Sequence, residues 1–215
     1  MSIVLAIESA IHGGSLCVHD GDRVIAELYG TGGVSRAEEL LSSIDGVLRT
    51  AGVKPGDVET VAVSTGPGSY TGIRIGIATA LGLRTASGAA CVGVSLFEAL
   101  CSVRQEQQNT VAMIAVRENQ IGWQGCTLAD GGRLTPATAQ QGGTIAEFLE
   151  FARQADHQFV TDCESMKLLS DFDPLTAKTM VVHGSFAELI AECVLNGIGG
   201  EPQPVYLQTS AAGRF

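Results

Sequence analysis

The residues with the most chemical potential stand together in Gly66-Pro67-Gly68-Ser69-Tyr70-Thr71-Gly72-Ile73-Arg74-Ile75-Gly76. An apolar run, Thr60-Val61-Ala62-Val63-Ser64-Thr65, precedes this stretch and reads as a buried strand. After it, Ile73, Gly76, Ile77, Ala80 and Leu81 keep the spacing of one helix face. A glycine-rich turn at a helix start leaves backbone N–H groups without intrahelical partners, and these can face an anion or another chain's acceptors. The alternative is a tight turn whose glycines only let strand and helix pack. Two phosphate-binding patterns are excluded. No Gly-Lys-Ser/Thr follows, so this is not a Walker A loop. Gly66, Gly68 and Gly72 are spaced one residue too widely for the dinucleotide fingerprint, and no acidic residue is suitably placed after a second strand.

Other chemistry is sparse. Glu8 and Ser9 end the first apolar run, a place suited to a catalytic or metal-binding acid, but one carboxylate is too few for two-metal chemistry. Asp20 and Asp22 flank Gly21 and read as turn formers. His12, His19, His157 and His183 are dispersed without metal-ligand spacing, so no metal site is expected. Ser69 lies in Gly-x-Ser-x-x-Gly, unlike the Gly-x-Ser-x-Gly elbow of serine hydrolases, and no partner histidine is indicated. The six cysteines form no Cys-x-x-Cys pair and mostly sit in apolar runs, which predicts reduced, buried thiols.

The elements that position these residues follow from periodicity. Ile3 to Ile7 is a central strand, Ser15 to His19 and Arg23 to Tyr29 form a hairpin around Asp20-Gly21-Asp22, and the three make a meander. Ser35 and Glu38 form a capping-box pattern for a helix whose buried stripe is Leu40, Leu41, Ile44, Val47, Leu48 and Ala51, ended by Gly52. The strand at 61–64, a helix at 71–86, a strand at 90–94 and a helix capped by Ser95 complete a βββαβαβα order. That order predicts an α/β, RNase H-like or actin-like mixed sheet. The polar stretch Arg104 to Asn109 marks a boundary between a first lobe, 1–105, and a smaller second lobe, 106–215. Strands at 110–116, 121–128 and 158–161 and helices at 144–155 and 185–195 predict a second sheet that begins like the first without completing it. The C-terminal helix is free to pack back on the first lobe.

A 215-residue chain with 45% hydrophobic and 17% charged residues is an ordinary globular protein. Its net charge of −10 argues against a free-standing nucleic-acid binder, although not against a subunit that reaches nucleic acid through a basic partner. The N-terminus has no basic signal region and no window approaches a spanning length, so a cytoplasmic protein without membrane contact is expected.

The stretch 66–76, followed by Ala80-x-Gly82-Leu83, resembles the Gly-Pro-Gly-Ser-Phe/Tyr-Thr-Gly-Leu/Ile-Arg-Ile/Val-Gly signature of the bacterial TsaB (YeaZ) proteins, small glycoprotease-like relatives of the TsaD ATPases. Leu5-Ala6-Ile7-Glu8-Ser9 is similar to the family's opening, Leu40-Leu41-x-x-Ile44 and Ala51-Gly52-Val53 to its first helix, and Pro204-Val205-Tyr206-Leu207 to its close. The resemblance implies a two-lobed actin-like fold with a truncated second lobe and a non-catalytic part in making N6-threonylcarbamoyladenosine in tRNA. It implies dimerisation with a TsaD-type partner, a TsaE-type ATPase joining the assembly, a homodimer when alone, tRNA contact only indirectly and no cofactor.

By the same resemblance the loop contacts to nucleotide or partner are Gly66, Pro67, Gly68, Ser69, Tyr70, Thr71, Gly72 and Arg74, with Glu8 and Ser9. The partner face is Arg36, Glu39, Leu40, Ser43, Val47, Ile75 and Thr79. The chain departs from the family pattern at Arg36-Ala37-Glu38-Glu39-Leu40-Leu41-Ser42, at Glu8, at Ala115 to Gly122 and at Gln208. Three alternatives follow: a divergent paralogue with another partner, a nucleotide-dependent phosphotransferase or ATPase of the actin-like group that uses ATP and magnesium, and a peptidase dependent on Ser69.

Overall fold

The structure, a computed structural model, describes residues 2–11, 13–30, 37–103, 110–117, 119–129, 133–154, 156–169 and 178–207. Contacts divide the chain into two units, Met1–Ala99 with Gly184–Val205, and Leu100–His183 with Tyr206–Phe215. The polar stretch expected to separate the lobes lies outside the described residues, as do Ser35, Arg36 and Gln208.

The first unit is built on five strands, β1 (Val4–Glu8), β2 (Ser15–His19), β3 (Val24–Tyr29), β4 (Thr60–Ser64) and β5 (Ala90–Val94). Their order is β3-β2-β1-β4-β5, with β1 antiparallel to β2 and parallel to β4, and β4 parallel to β5. The expected turn between β2 and β3 is present: the Asp20 carboxylate accepts from the backbone N–H of Asp22 at 3.0 Å and of Arg23 at 2.9 Å. Every residue of β1 and β2 is buried, so both faces of the sheet centre are covered. Leu5 and Val61, paired in register, share one face with Leu48 of helix α1 (Ala37–Ala51) and Leu83 of helix α2 (Tyr70–Ser87). On the other face Ser15 Oγ accepts from the Ala187 N–H of the C-terminal helix, α6 (Phe186–Leu195). Helix α3 (Leu96–Ser102) follows β5 and is capped by Ser95, whose Oγ accepts from Glu98 N at 3.1 Å.

Gly52 ends α1 as expected, with φ 70° and its N–H donating to Arg49 O. One member of the expected α1 stripe is displaced. Leu40, Ile44, Val47 and Leu48 are buried, but Leu41 is 60% exposed. It stands 100° round the helix from Leu40, at the rim of the stripe, on the side turned away from the sheet.

The second unit contains β6 (Thr110–Arg117), β7 (Gln120–Ala129), β8 (Arg133–Pro136), β9 (Gln141–Thr144), β10 (Gln158–Asp162) and β11 (Thr179–Val182), with helices α4 (Ile145–Arg153) and α5 (Cys163–Leu169). Its main path, β8-β7-β6-β10-β11, repeats the order and strand directions of the first sheet, and β9 pairs with β7 off that path. The expectation of an incomplete second sheet is thus corrected. Four-residue strands such as β8 and β11 are too short for an alternation pattern to stand out from a loop. The core here joins Val111, Met113, Ile121, Trp123, Phe148 and Phe159, with Phe148 meeting Trp123 at 5.4 Å and Phe159 edge-on at 5.8 Å.

The cysteines also depart from expectation. Cys101 of α3 and Cys126 of β7 form a disulfide, while Cys17, Cys91, Cys163 and Cys193 are free. Spacing of 25 residues along the chain carries no sign of that spatial adjacency.

Candidate functional site

The glycine loop is locked onto the end of the first strand. Ser69 caps α2: its side chain accepts from Gly72 N at 3.2 Å, while its own N–H donates to Ala10 O at 2.7 Å. Ser9 Oγ donates to Gly72 O at 2.9 Å. A Cβ on Gly68 would stand 2.4 Å from Ala10 O, one on Gly72 2.0 Å from Ser9 O, and one on Gly76 2.3 Å from Ser9 Oγ. Gly68 and Gly72 are required because the backbone of Ser9 and Ala10 lies directly on the turn and the start of the helix, and Gly76, a turn further on, faces the Ser9 side chain.

The other side of the loop is closed too. Gly66, at φ 106° before a cis Pro67, would put a Cβ 2.8 Å from Val205 O. Gly66 O accepts from Leu96 N at 2.7 Å, and Thr65 bonds Val94 O through its N–H and Val205 N through its carbonyl. Val205 thus packs onto the strand end that carries the loop.

Glu8 is 2% exposed, and its carboxylate accepts from the N–H groups of Ala10 and Ile11, the latter at 3.0 Å. It holds the turn that presses on Gly68 and Gly72. Ser69 Oγ, committed as a helix cap, has the chemistry of a structural hydroxyl. Among the described residues no group of three or more His, Cys, Asp or Glu is placed to hold a metal ion. The Ser69 and Gly72 N–H groups have acceptors within the protein.

What the platform presents is the start of α2. Tyr70 is 50% exposed, and the Arg74 guanidinium lies 4.1 Å from its ring centre. Such a pair offers a rigid aromatic and a fixed charge at low entropy cost, the residue types that anchor interfaces. Thr71 is exposed beside it, and Ile75 and Thr79 are half-buried along the same helix. On α1, Glu39 is exposed and Ser43 half-buried.

Two expected partner contacts are corrected. Leu40 and Val47 are 0% and 3% exposed because they fill the core between α1 and the sheet, so neither can touch a second chain. Leu41 is the large apolar side chain that α1 leaves in solvent. Periodicity could have found it, because Leu40, Ile44, Val47, Leu48 and Ala51 already complete a stripe without it.

The mixed sheet with its β3-β2-β1-β4-β5 path, repeated in a second unit, defines an actin-like fold whose glycine loop packs against its own chain at Ser9, Ala10 and Val205. A family model described as "TsaD: tRNA N6-adenosine threonylcarbamoyltransferase" matches residues 33–190. The chain belongs to this family, as a divergent member on its TsaB (YeaZ) side. It is 25% identical over 154 residues to the tRNA threonylcarbamoyladenosine biosynthesis protein TsaB of Bacillus subtilis, covering 71% of this chain and 67% of that one. It is 26% identical over 119 residues to the protein of the same name from Escherichia coli, covering 55% of this chain and 51% of that one. The match therefore spans about half of the E. coli relative's length. The solved structure of YeaZ from Pseudomonas aeruginosa shares the fold, with a TM-score of 0.70 at 21% identity over 96% of this chain and 100% of that one.

Proposed function

We propose that this chain is a partner subunit, without catalysis of its own, for a TsaD-type protein that modifies tRNA adenosine to N6-threonylcarbamoyladenosine. The observation that carries this reading is the closed loop. A family whose model is described as a transferase is represented here by a chain whose glycine turn is packed against Ser9, Ala10 and Val205. The surface left for work is the α1–α2 side, with Leu41, Tyr70, Arg74, Ile75 and Thr79.

In this reading a TsaE-type ATPase joins the assembly, the same face forms a homodimer when the partner is absent, and tRNA is reached through the partner. The net charge of −10 supports that indirect contact, because phosphates are repelled by a chain of that overall charge. The reading needs no nucleotide in this chain, and the spent N–H groups of Ser69 and Gly72 support that. Among the described residues no helix is long and apolar enough to cross a membrane. A part in tRNA modification carries with it a cytoplasmic location in this reading.

Co-purification with the TsaD-type protein of the same cell, followed by reconstitution of the tRNA modification, tests the proposal. Binding of the two chains and loss of modification on omitting this one are expected. Failure of both overturns it. Equilibrium binding of ATP with magnesium to this chain alone, at affinities typical of actin-like enzymes, would instead favour a phosphotransferase.

A further inference from the structure

In the second unit the parallel register of β10 and β11 pairs Asp162 with Val182, so the residues one step beyond, Cys163 and His183, emerge side by side at the carboxyl ends of the two strands. Cys163 Sγ lies 3.2 Å from His183 Nδ1 and 3.5 Å from Val182 O. Cys163 is half-buried and His183 is exposed. The carboxyl end of parallel strands is where open α/β sheets gather their chemistry.

The supporting geometry is rigid. Asp162 accepts from the N–H groups of Glu164 at 2.9 Å and Ser165 at 3.0 Å, and from Ser165 Oγ. Ser165 Oγ in turn accepts from Ala115 N at 2.8 Å. The turn carrying Cys163 is thus tied to the central strand β6. The nearest charges on α5, Glu164 and Lys167, are paired with each other.

The other cysteines lack this combination. Cys17 and Cys193 are sealed in the first unit, at 0% and 1% exposure. Burial, and then Glu27, Glu188 and Glu192, push the Cys17 thiol up to about 12. Burial also raises that of Cys91, against the pull of Arg84. Cys101 and Cys126 are bonded to each other.

We propose that Cys163 is the reactive thiol of this protein, with His183 as its proton acceptor, and that it takes up small thiols by exchange with low-molecular-weight disulfides. In the neutral tautomer that carries its proton on Nε2, His183 accepts the Cys163 thiol proton at Nδ1. The thiolate attacks one sulfur of the disulfide. A new S–S bond forms to Cys163 as the original S–S bond breaks, and the departing thiolate takes the proton from the imidazolium. Cys163 is oxidised, the leaving sulfur is reduced, and the disulfide is the only oxidant needed.

The test is a time course of the full chain with glutathione disulfide at neutral pH, followed by peptide mapping. The first mixed disulfide is expected on Cys163, and Cys163→Ser should abolish that adduct. His183→Gln should slow it at least about fivefold, the scale on which a neighbouring base changes thiolate supply, with the rate at Cys91 unchanged. A first adduct on Cys91 or any other cysteine of the unmodified chain overturns the proposal. So does an unchanged rate at Cys163 in His183→Gln. Labelling of Cys17 or Cys193 would report that a variant has lost its fold, in which case the rate comparison is made with His183→Asn. Mapping of the unmodified chain decides the site independently of either variant.

Discussion

Ser9 and Gly72 hold each other at backbone contact: Ser9 Oγ donates to Gly72 O at 2.9 Å, and a Cβ on Gly72 would stand 2.0 Å from Ser9 O. The end of the first strand and the first turn of α2 are therefore a single rigid piece. This joint explains why the most conspicuous stretch of the sequence is rich in glycine.

Gly72→Ala should destabilise the protein by about 3 kcal/mol or more, because the obstructing atoms are backbone and cannot move aside. Gly82, in the same helix, has nothing within 4 Å of a built Cβ. Gly82→Ala should stabilise by about 0.5–1 kcal/mol through helix propensity alone. Urea denaturation of the two variants checks both signs; equal effects would show that the loop is not closed as described.

Ser69→Ala removes the cap that accepts from Gly72 N. A loss of about 1 kcal/mol in unfolding free energy is expected. A peptidase lost with this hydroxyl would argue for a different role, so proteolytic activity of wild type and variant is assayed alongside the melt.

Leu41→Glu places a charge on the exposed rim of α1 without touching the core. The variant should keep the melting temperature of the wild type within a degree or so and bind the TsaD-type partner at least about tenfold more weakly, the cost of burying an unpaired charge at an interface. Calorimetric titration distinguishes this from Leu40→Ala, which should cost about 2–5 kcal/mol of stability, since Leu40 is wholly buried.

Burial, followed by the neighbouring Glu27 and Glu192, raises the Glu188 carboxyl above its ordinary value, with His19 pulling the other way. The folded state therefore holds this proton more tightly than the unfolded chain. The resulting stability is complete below the ordinary glutamate range and fades as pH rises through the elevated folded value. Glu188→Gln, which mimics the protonated form, should raise the melting temperature at pH 7 by up to about 2 °C, allowing for solvent screening at this half-buried site. At pH 4 the gain should be smaller. A gain independent of pH would exclude this origin.

The order of elements in the first unit was legible because local signals agree with the fold. The apolar runs of β1 and β4, the Asp20-Gly21-Asp22 turn, the Gly52 stop and the Ser95 cap are each short-range physics. The second unit was only partly legible. β8 and β11 are too short to announce themselves, and their assignment rests on pairing with β7 and β10. The stretch 66–76 likewise declared its own importance through its residue types, along with the strand and helix on either side. Whether its N–H groups face a phosphate or another part of the chain depends on where Ser9, Ala10 and Val205 come to lie, and only the tertiary structure places them. The same holds for Cys163 and His183, joined by strand register. Periodicity assigns a residue to a face, but packing across residues distant in sequence decides what that face meets.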